Sequence, residues 1–176
     1  MSKAGKIGRK TARLETQTDL SDNAIPEIAE ALNGLVADAY VLYLKTKNFH
    51  WHVSGPHFRD YHLLFDEQAT EIFASTDELA ERVRKLGART VHSLSEMVSL
   101  TSLKENEADY VSPGDMLREL MADNKTVIRN MRAAHEIADK HDDVATASIL
   151  ENFIDQAEKR NWFLFEASRG TDGSGH

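Results

Sequence analysis

Apolar residues recur every three or four positions through four long segments of the chain, and this spacing restricts the fold more than any other feature. A repeat of this kind places the apolar side chains along one side of an α-helix. The four segments are residues 22–52, 57–86, 112–140 and 143–168. Each is longer than the average helix of a globular protein. The spacing therefore predicts an all-α protein built on four helices.

The connections between these segments predict how the helices are arranged. Residues 54–56, Ser-Gly-Pro, make a short break, and short breaks leave neighbouring helices antiparallel. Residues 88–111 make a long connection, where Ser93 and Glu96 have the spacing of a capping box that opens a short helix ending near Thr101. A long connection lets the third helix start at the far end of the molecule. The predicted fold is a ferritin-like four-helix bundle with a short extra helix in the long connection between helices 2 and 3.

The two ends of the chain differ from its middle in composition and charge. The whole chain carries −8 and residues 1–13 carry +5, so the remainder carries −13. We expect a flexible basic arm over residues 1–20, a bundle over 21–170 and a flexible tail over 171–176, because the ends contain little to bury. The arm is either a solubilising terminus or an attachment to nucleic-acid phosphate. Its cations, the tentative DNA-binding residues, are Lys3, Lys6, Arg9, Lys10 and Arg13.

Several classes of protein are excluded by residues that the chain lacks. There is no cysteine, which excludes disulfides, thiolate metal sites and a cysteine nucleophile. No apolar run approaches the roughly 20 residues that span a bilayer. The N-terminal cations are not followed by the apolar segment of a secretory signal. The sequence therefore predicts a cytoplasmic protein with no membrane partner.

Two pairs of possible metal ligands lie in the second helical segment. His62 and Asp66 are four residues apart, as are Asp77 and Glu81, so each pair shares one side of a helix. The pairs are roughly 20 Å apart along the axis, whereas metal–ligand bonds are only about 2 Å long. One helix therefore cannot bring both pairs to one metal. A second copy, antiparallel and crossing near residues 71–72, would place the first pair of one chain opposite the second pair of the other, and a two-fold dimer would hold two such sites.

A further histidine joins this predicted site from the first helix. His50 precedes the break at residues 54–56 and His62 follows it, so two antiparallel helices would hold the imidazoles at the same level. The predicted set is two histidines and an aspartate from one chain with an aspartate and a glutamate from its partner. Such ligands suit iron, manganese or zinc. The alternatives are a solvated acidic face, since three cations follow within residues 82–85, and histidines that are merely packed.

Several stretches of the chain carry a family resemblance. They are KTKNFHWHVSGPHF (residues 45–58), YHLLFDEQ (61–68), TDELAERVRKLG (76–87) and WFLFEASRG (162–170). They resemble the Dps family, the DNA-binding proteins from starved cells, which are miniature ferritins of bacteria. The resemblance covers essentially the whole helical region. It implies a hollow homododecamer that oxidises Fe(II), usually with hydrogen peroxide, stores ferric iron inside and protects DNA from oxidative damage.

The resemblance also assigns roles to individual residues. Trp51 matches an aromatic residue next to the site, which either absorbs stray oxidising equivalents or simply packs there. Acids near the start of the fourth helix line pores in many relatives, and Asp142 and Asp143 are candidates here, although Ser148 occupies a position that is often acidic. The family's ferroxidase ligands, shared across a two-fold interface, fall on His50, His62, Asp66, Asp77 and Glu81.

Two other functions remain open. One is a nucleoid-packing DNA-binding protein with little or no ferroxidase activity, since some members of the family bind DNA through basic arms and others do not. Removal of residues 1–13 should then abolish DNA retention and leave oxidation intact. The other is a diiron oxidase acting on an organic substrate, which a substrate-sized apolar pocket beside the ligands would favour.

Overall fold

Five α-helices form the fold of residues 14–170, the part of the chain that the computed structural model describes. The predicted all-α, ferritin-like four-helix bundle with one extra helix is confirmed, and each long helix lies within two residues of its predicted bounds. The helices are α1 (Ala24–His52), α2 (Phe58–Lys85), α3 (Leu94–Leu100), α4 (Pro113–Lys140) and α5 (Val144–Ser168).

The helices pack as two pairs around one core. α1 runs along α2 and α4 runs along α5, while α1 also contacts α4 and the short α3. Burial of apolar surface between them stabilises the fold by about 25 cal/mol for each Å² removed from water. Two fully buried aromatic residues belong to this core, Phe49 near the end of α1 and Phe65 in the first part of α2. The backbone on either side of the break is therefore held in a fixed relation.

Local capping explains where the later helices start. Ser93 accepts a hydrogen bond from the Glu96 amide at the start of α3, as the capping pattern predicts. Ser112 accepts from the amide of Asp115 at the start of α4, where Pro113 takes the first helical position. Each bond satisfies a backbone N–H that has no partner inside its helix.

The start of α1 differs slightly from its prediction. The predicted segment starts at residue 22, whereas the helix begins at Ala24 with Asn23 as its N-cap residue. The Asn23 side chain makes no capping bond. Instead, the amide of Ala24 donates to Ser21 Oγ at 3.3 Å and to the Ser21 carbonyl at 3.0 Å. Ser21 therefore satisfies the first helical amide from outside the helix.

The pore candidate Asp143 has a different role in this chain. Its side chain is only 3 % exposed, accepts from the Thr146 amide and so caps α5. It also lies 2.6 Å from Arg82 Nη2 on α2. A buried carboxylate that is paired with a guanidinium and caps a helix holds α2 and α5 together. Asp143 is thus engaged inside the chain and does not present a free carboxylate to a pore.

Residues 14–20, the last part of the predicted flexible arm, contact the end of α2. Thr16 Oγ1 donates to the Lys85 carbonyl at 2.9 Å, and Arg84 Nη2 donates to the Leu14 carbonyl at 3.1 Å. Gly87 has φ +79°, and a Cβ there would lie 2.9 Å from Thr16 N, so glycine is required. The five arm cations lie in residues 1–13, outside the described residues, as does the tail from 171 onward.

The sequence predicts no segment that spans a membrane. Within residues 14–170, every helix is too short or too polar to cross a bilayer.

Candidate metal centre

The end of α1 and the start of α2 bring two histidines face to face. The rings of His50 and His62 stack with their centroids 3.8 Å apart and their planes 22° apart. Gly55, with φ +100°, lets the chain turn between the helices. Buried Phe49 immediately precedes His50, so the core fixes the backbone beneath this ring. The predicted meeting of the two imidazoles at one level is therefore observed.

Reciprocal hydrogen bonds orient these rings. Nδ1 of His50 lies 2.7 Å from the His62 carbonyl oxygen, and Nδ1 of His62 lies 2.8 Å from the His50 carbonyl oxygen. A carbonyl oxygen can only accept, so each Nδ1 carries a hydrogen and donates it. The neutral ring then keeps a lone pair on Nε2. Metal-binding histidines are commonly held in this way by a backbone carbonyl.

Asp66 lies beside the histidines but is already paired with a cation. Its Oδ1 is 3.8 Å from His50 Nε2 and 2.6 Å from Lys47 Nζ. The hydrogen bond from Lys47, helped by its charge and by the nearby histidines, holds the pKa of Asp66 below its usual value in spite of some desolvation. The carboxylate therefore favours its ionised form and is paired with Lys47.

Lys47 is a functional candidate that the sequence reasoning missed. It lies three residues before His50 and four before Trp51, so helical spacing places it on the same side of α1. That spacing was a usable signal. The spacing does not predict the pairing of Lys47 with Asp66, because that contact depends on how α2 packs against α1.

The remaining two predicted ligands lie at the other end of α2. Asp77 and Glu81 are exposed and belong to the same uninterrupted helix as His62, roughly 20 Å further along its axis. Asp77 makes no hydrogen bond or ion pair within residues 14–170, and Glu81 lies 3.6 Å from Lys85 Nζ. Within the described part of one chain, no three His, Asp or Glu side chains are arranged to hold a metal ion.

Between its two ends, α2 exposes an apolar surface. Leu63 and Phe73 are 41 % and 48 % exposed, and they share one side of the helix with Asp66 and Asp77. The ring of Phe73 packs against Tyr43 of α1 with centroids 4.9 Å apart. Phe73 lies where the sequence predicts a second copy to cross, and a helix of that copy would cover its exposed half.

A groove of about 580 Å³ runs between α1, α3 and the connection that follows α3. It is lined mainly by apolar side chains, among them Trp51, Leu94 and Val98, all more than half exposed. None of the five predicted ligands lines it. The groove therefore does not meet the condition for an organic-substrate oxidase, a pocket beside the ligands. Trp51 is also not a core residue of its own chain.

The interior of the bundle holds a buried arginine rather than a cluster of ligands. Arg160 is 7 % exposed and lies 3.6 Å from Glu71, and its Nε donates to Asn124 Oδ1 at 3.3 Å. Burial lowers the pKa of Arg160 from its usual value. The chain also lacks the Glu-x-x-His pairs that ferritin-like bundles use for an internal diiron site.

Comparisons with known proteins agree on the family of this chain. The ferritin-like domain family matches residues 29–168. The "DNA protection during starvation protein 2" of Bacillus anthracis is 34 % identical over 78 % of this chain and 94 % of its own length. Dps from Thermosynechococcus elongatus is 32 % identical and superposes with a TM-score of 0.82, covering 86 % of this chain and 96 % of that one.

A further solved structure adds a chemical class. The Dps protein of Vibrio cholerae O1 is described as a member of a broad superfamily of ferritin-like diiron-carboxylate proteins. It is 28 % identical to this chain, with a TM-score of 0.84, and covers 91 % of this chain and all of its own length.

Proposed function

The chain belongs to the Dps family of ferritin-like proteins, and from that premise we propose that it is a ferroxidase that oxidises Fe(II) with hydrogen peroxide and stores ferric iron in a shell of identical chains. The observation that carries the proposal is the pair His50 and His62. Their Nδ1 atoms are bound to backbone carbonyls, and their Nε2 atoms make no hydrogen bond within residues 14–170. Two oriented nitrogen lone pairs beside a carboxylate suit a divalent iron ion.

A second copy of the chain would complete this half-site. Asp77 and Glu81 of the partner subunit would face His62 and Asp66 if two α2 helices crossed antiparallel near their middle. The exposed apolar side chains of α2, centred on Phe73, lie at that crossing. The apolar groove beside α3 would add to the covered surface. We expect dimers of this kind to build the family's dodecamer.

The proposed reaction separates the tasks of binding and oxidation. The histidine nitrogens and the Asp66 carboxylate hold Fe(II) after Lys47 has withdrawn from Asp66. One hydrogen peroxide takes one electron from each of two Fe(II) ions and, with two protons, becomes two waters. Because peroxide is consumed in a two-electron step, no hydroxyl radical is released. The carboxylates of Asp77 and Glu81 favour the harder Fe(III) product.

Protection of DNA is the second part of the proposal. The relatives are named for DNA protection during starvation, and removal of Fe(II) and peroxide would protect DNA whether or not the shell touches it. The arm's five cations would add a non-specific attraction to phosphate. Many arms on one shell would act together, so weak single contacts could sum to useful affinity.

The test is a peroxide pulse after anaerobic loading with Fe(II), followed by ferric absorbance. Wild type is compared with Asp77→Ala/Glu81→Ala and with a matched control, Glu67→Ala/Glu78→Ala, which removes two exposed acids of the same helix. We expect fast oxidation in wild type and control and slow oxidation in the first variant, with assembly size unchanged. Equally slow oxidation in all three would overturn the ferroxidase and leave a nucleoid-packing DNA-binding protein as the better account.

A further inference from the structure

The outer face of α4 carries a row of cations on a chain that is otherwise acidic. Every exposed position from 118 to 132 is a cation or alanine. The cations are three, four or seven residues apart, so they share one side of the helix. We call this row the α4 stripe, and its members are Arg118, Lys125, Arg129 and Arg132.

The central charges of the α4 stripe are not neutralised within the described residues. Lys125 forms no ion pair in residues 14–170, and Arg129 donates only to the Thr126 hydroxyl, at 3.0 Å. At the two ends, Arg118 and Arg132 pair with Asp115 and Glu158, but both pairs are more than half exposed. Exposed pairs of this kind are weak and exchange readily for another anion.

Two acids beside the stripe are drawn inward, whereas exposed Glu136 follows Arg132 by one turn on the same side of α4. Glu119 and Asp123 lie on the side of α4 that faces α1, at 2.9 Å and 2.7 Å from Lys45 Nζ. Lys45 is itself buried, so both carboxylates are drawn inward toward it. The cations of the α4 stripe therefore remain accessible to a ligand in solution.

The α4 face is also unlike the surfaces that would pack against another copy. Large exposed apolar side chains occur on α1, α2, α3 and α5, for example Leu44, Phe73, Leu94 and Trp162. Among the described residues, α4 has none. A face with cations and no apolar centre suits a polyanion rather than a protein partner.

We propose that the α4 stripe is a binding surface for the phosphodiester backbone of duplex DNA, additional to the N-terminal arm. The stripe is about 21 Å long at 1.5 Å per residue. Its four cations can each contact one phosphate, so the stripe would neutralise up to four phosphates of the DNA backbone. This inference extends the DNA-protecting part of the proposed function and is independent of iron oxidation.

The test measures binding of a fluorescein-labelled mixed-sequence duplex by anisotropy over a series of salt concentrations. The assembled protein is used with and without residues 1–13, each as wild type and as Lys125→Glu/Arg129→Glu. The matched control, Arg59→Glu/Lys104→Glu, changes the charge equally at two exposed cations that also lack ion pairs within residues 14–170. A conservative variant, Lys125→Arg/Arg129→Lys, keeps the charge of the stripe.

We expect the arm-deleted protein to retain salt-dependent binding that the stripe reversal removes and the control does not. Loss of two phosphate contacts should reduce the slope of log affinity against log salt by about 2 for each engaged chain, and affinity at moderate salt by about tenfold or more. The conservative variant should bind as wild type.

Three results would overturn the proposal. They are no binding after arm deletion, equal losses in the stripe and control variants, and a change of assembly size in the stripe variant. The last would make this face a contact between copies. Peroxide-driven iron oxidation is measured on the same preparations, so loss of DNA binding with intact oxidation separates this failure from a failure of the ferroxidase.

Discussion

The two halves of the candidate centre differ in how firmly a single chain holds them. His50 and His62 are stacked, bound to each other's carbonyls and placed beside a buried phenylalanine. Asp77 and Glu81 are exposed on the far part of α2, and within residues 14–170 only Glu81 has a charged partner, Lys85 at 3.6 Å. Contacts within the chain hold the first half in place, whereas the second half is exposed.

This difference assigns separate roles to the two halves. Side chains that are already oriented lose little freedom on binding, so the histidine half should determine where iron binds. Exposed carboxylates can shift as the ion changes from Fe(II) to Fe(III), so the acidic half should determine how readily the product forms. The site would be complete only in the assembled protein, because a second chain would supply its acidic half.

The largest expected effect comes from removing one ligand from each half. His62→Ala should weaken binding of the redox-inert ion Zn(II) by at least about a hundredfold, whereas Glu81→Ala should weaken it by about tenfold. His62→Ala should also lower the free energy of unfolding by about 1 kcal/mol, because it loses a hydrogen bond and a ring contact. Glu81→Ala should change it by less than about 0.5 kcal/mol, because the side chain is exposed.

Calorimetric titration and denaturant unfolding of the two variants measure these differences. Equal losses of Zn(II) affinity, with no loss of stability in His62→Ala, would contradict the distinction between a fixed half and a free half.

A smaller effect is expected from Lys47, the cation that occupies the fixed half. Lys47→Met should raise Zn(II) affinity about two- to fivefold, because Asp66 loses the partly buried cation that competes for its carboxylate. Lys47→Arg, which keeps the charge, is the control. If Lys47→Met instead weakens binding, the lysine is a support of the site and not a competitor.

The same substitution changes a pKa. Lys47 depresses the pKa of Asp66, so their pairing stabilises the fold above the pKa of an unfolded aspartate and is lost as pH falls through the depressed value. In Lys47→Met the Asp66 pKa should rise toward its ordinary value. Carboxyl chemical shifts followed over an acid titration measure it directly, and an unchanged value would show that Lys47 is not the cause.

The smallest effect is expected at Trp51. It is exposed in the chain, so Trp51→Phe should change the free energy of unfolding by less than about 0.5 kcal/mol. If Trp51 absorbs stray oxidising equivalents, the variant should show a small rise in methionine sulfoxide after iron and peroxide. Mass spectrometry detects it, with peroxide alone as the control. A large loss of stability would instead support the packing role.

Much of this architecture follows from local patterns. Helical spacing, the break at residues 54–56 and the capping pattern at Ser93 predict helix ends to within two residues, because each acts over one or two turns. The level pairing of His50 and His62 also follows, since a short break leaves little freedom in how two helices meet.

Features that depend on distant contacts could not be predicted in this way. Asp143 resembled a pore acid until its contact with Arg82, 61 residues away along the chain, showed it to be a buried cap. The pairing of Lys47 with Asp66 likewise depends on the packing of two helices. The roles of Asp77 and Glu81 stay a prediction, because a second chain must supply the groups they would face.

The most direct test of a centre shared between two chains is complementation between two inactive variants. His62→Ala and Asp77→Ala/Glu81→Ala are co-expressed with different tags, and peroxide-driven Fe(II) oxidation is measured on the mixed assemblies. In a mixed two-fold dimer one site carries both lesions and the other carries none. Random pairing should therefore restore about a quarter of the wild-type activity, although each variant alone is inactive. Mixed assemblies that contain both chains and remain inactive would contradict the shared centre.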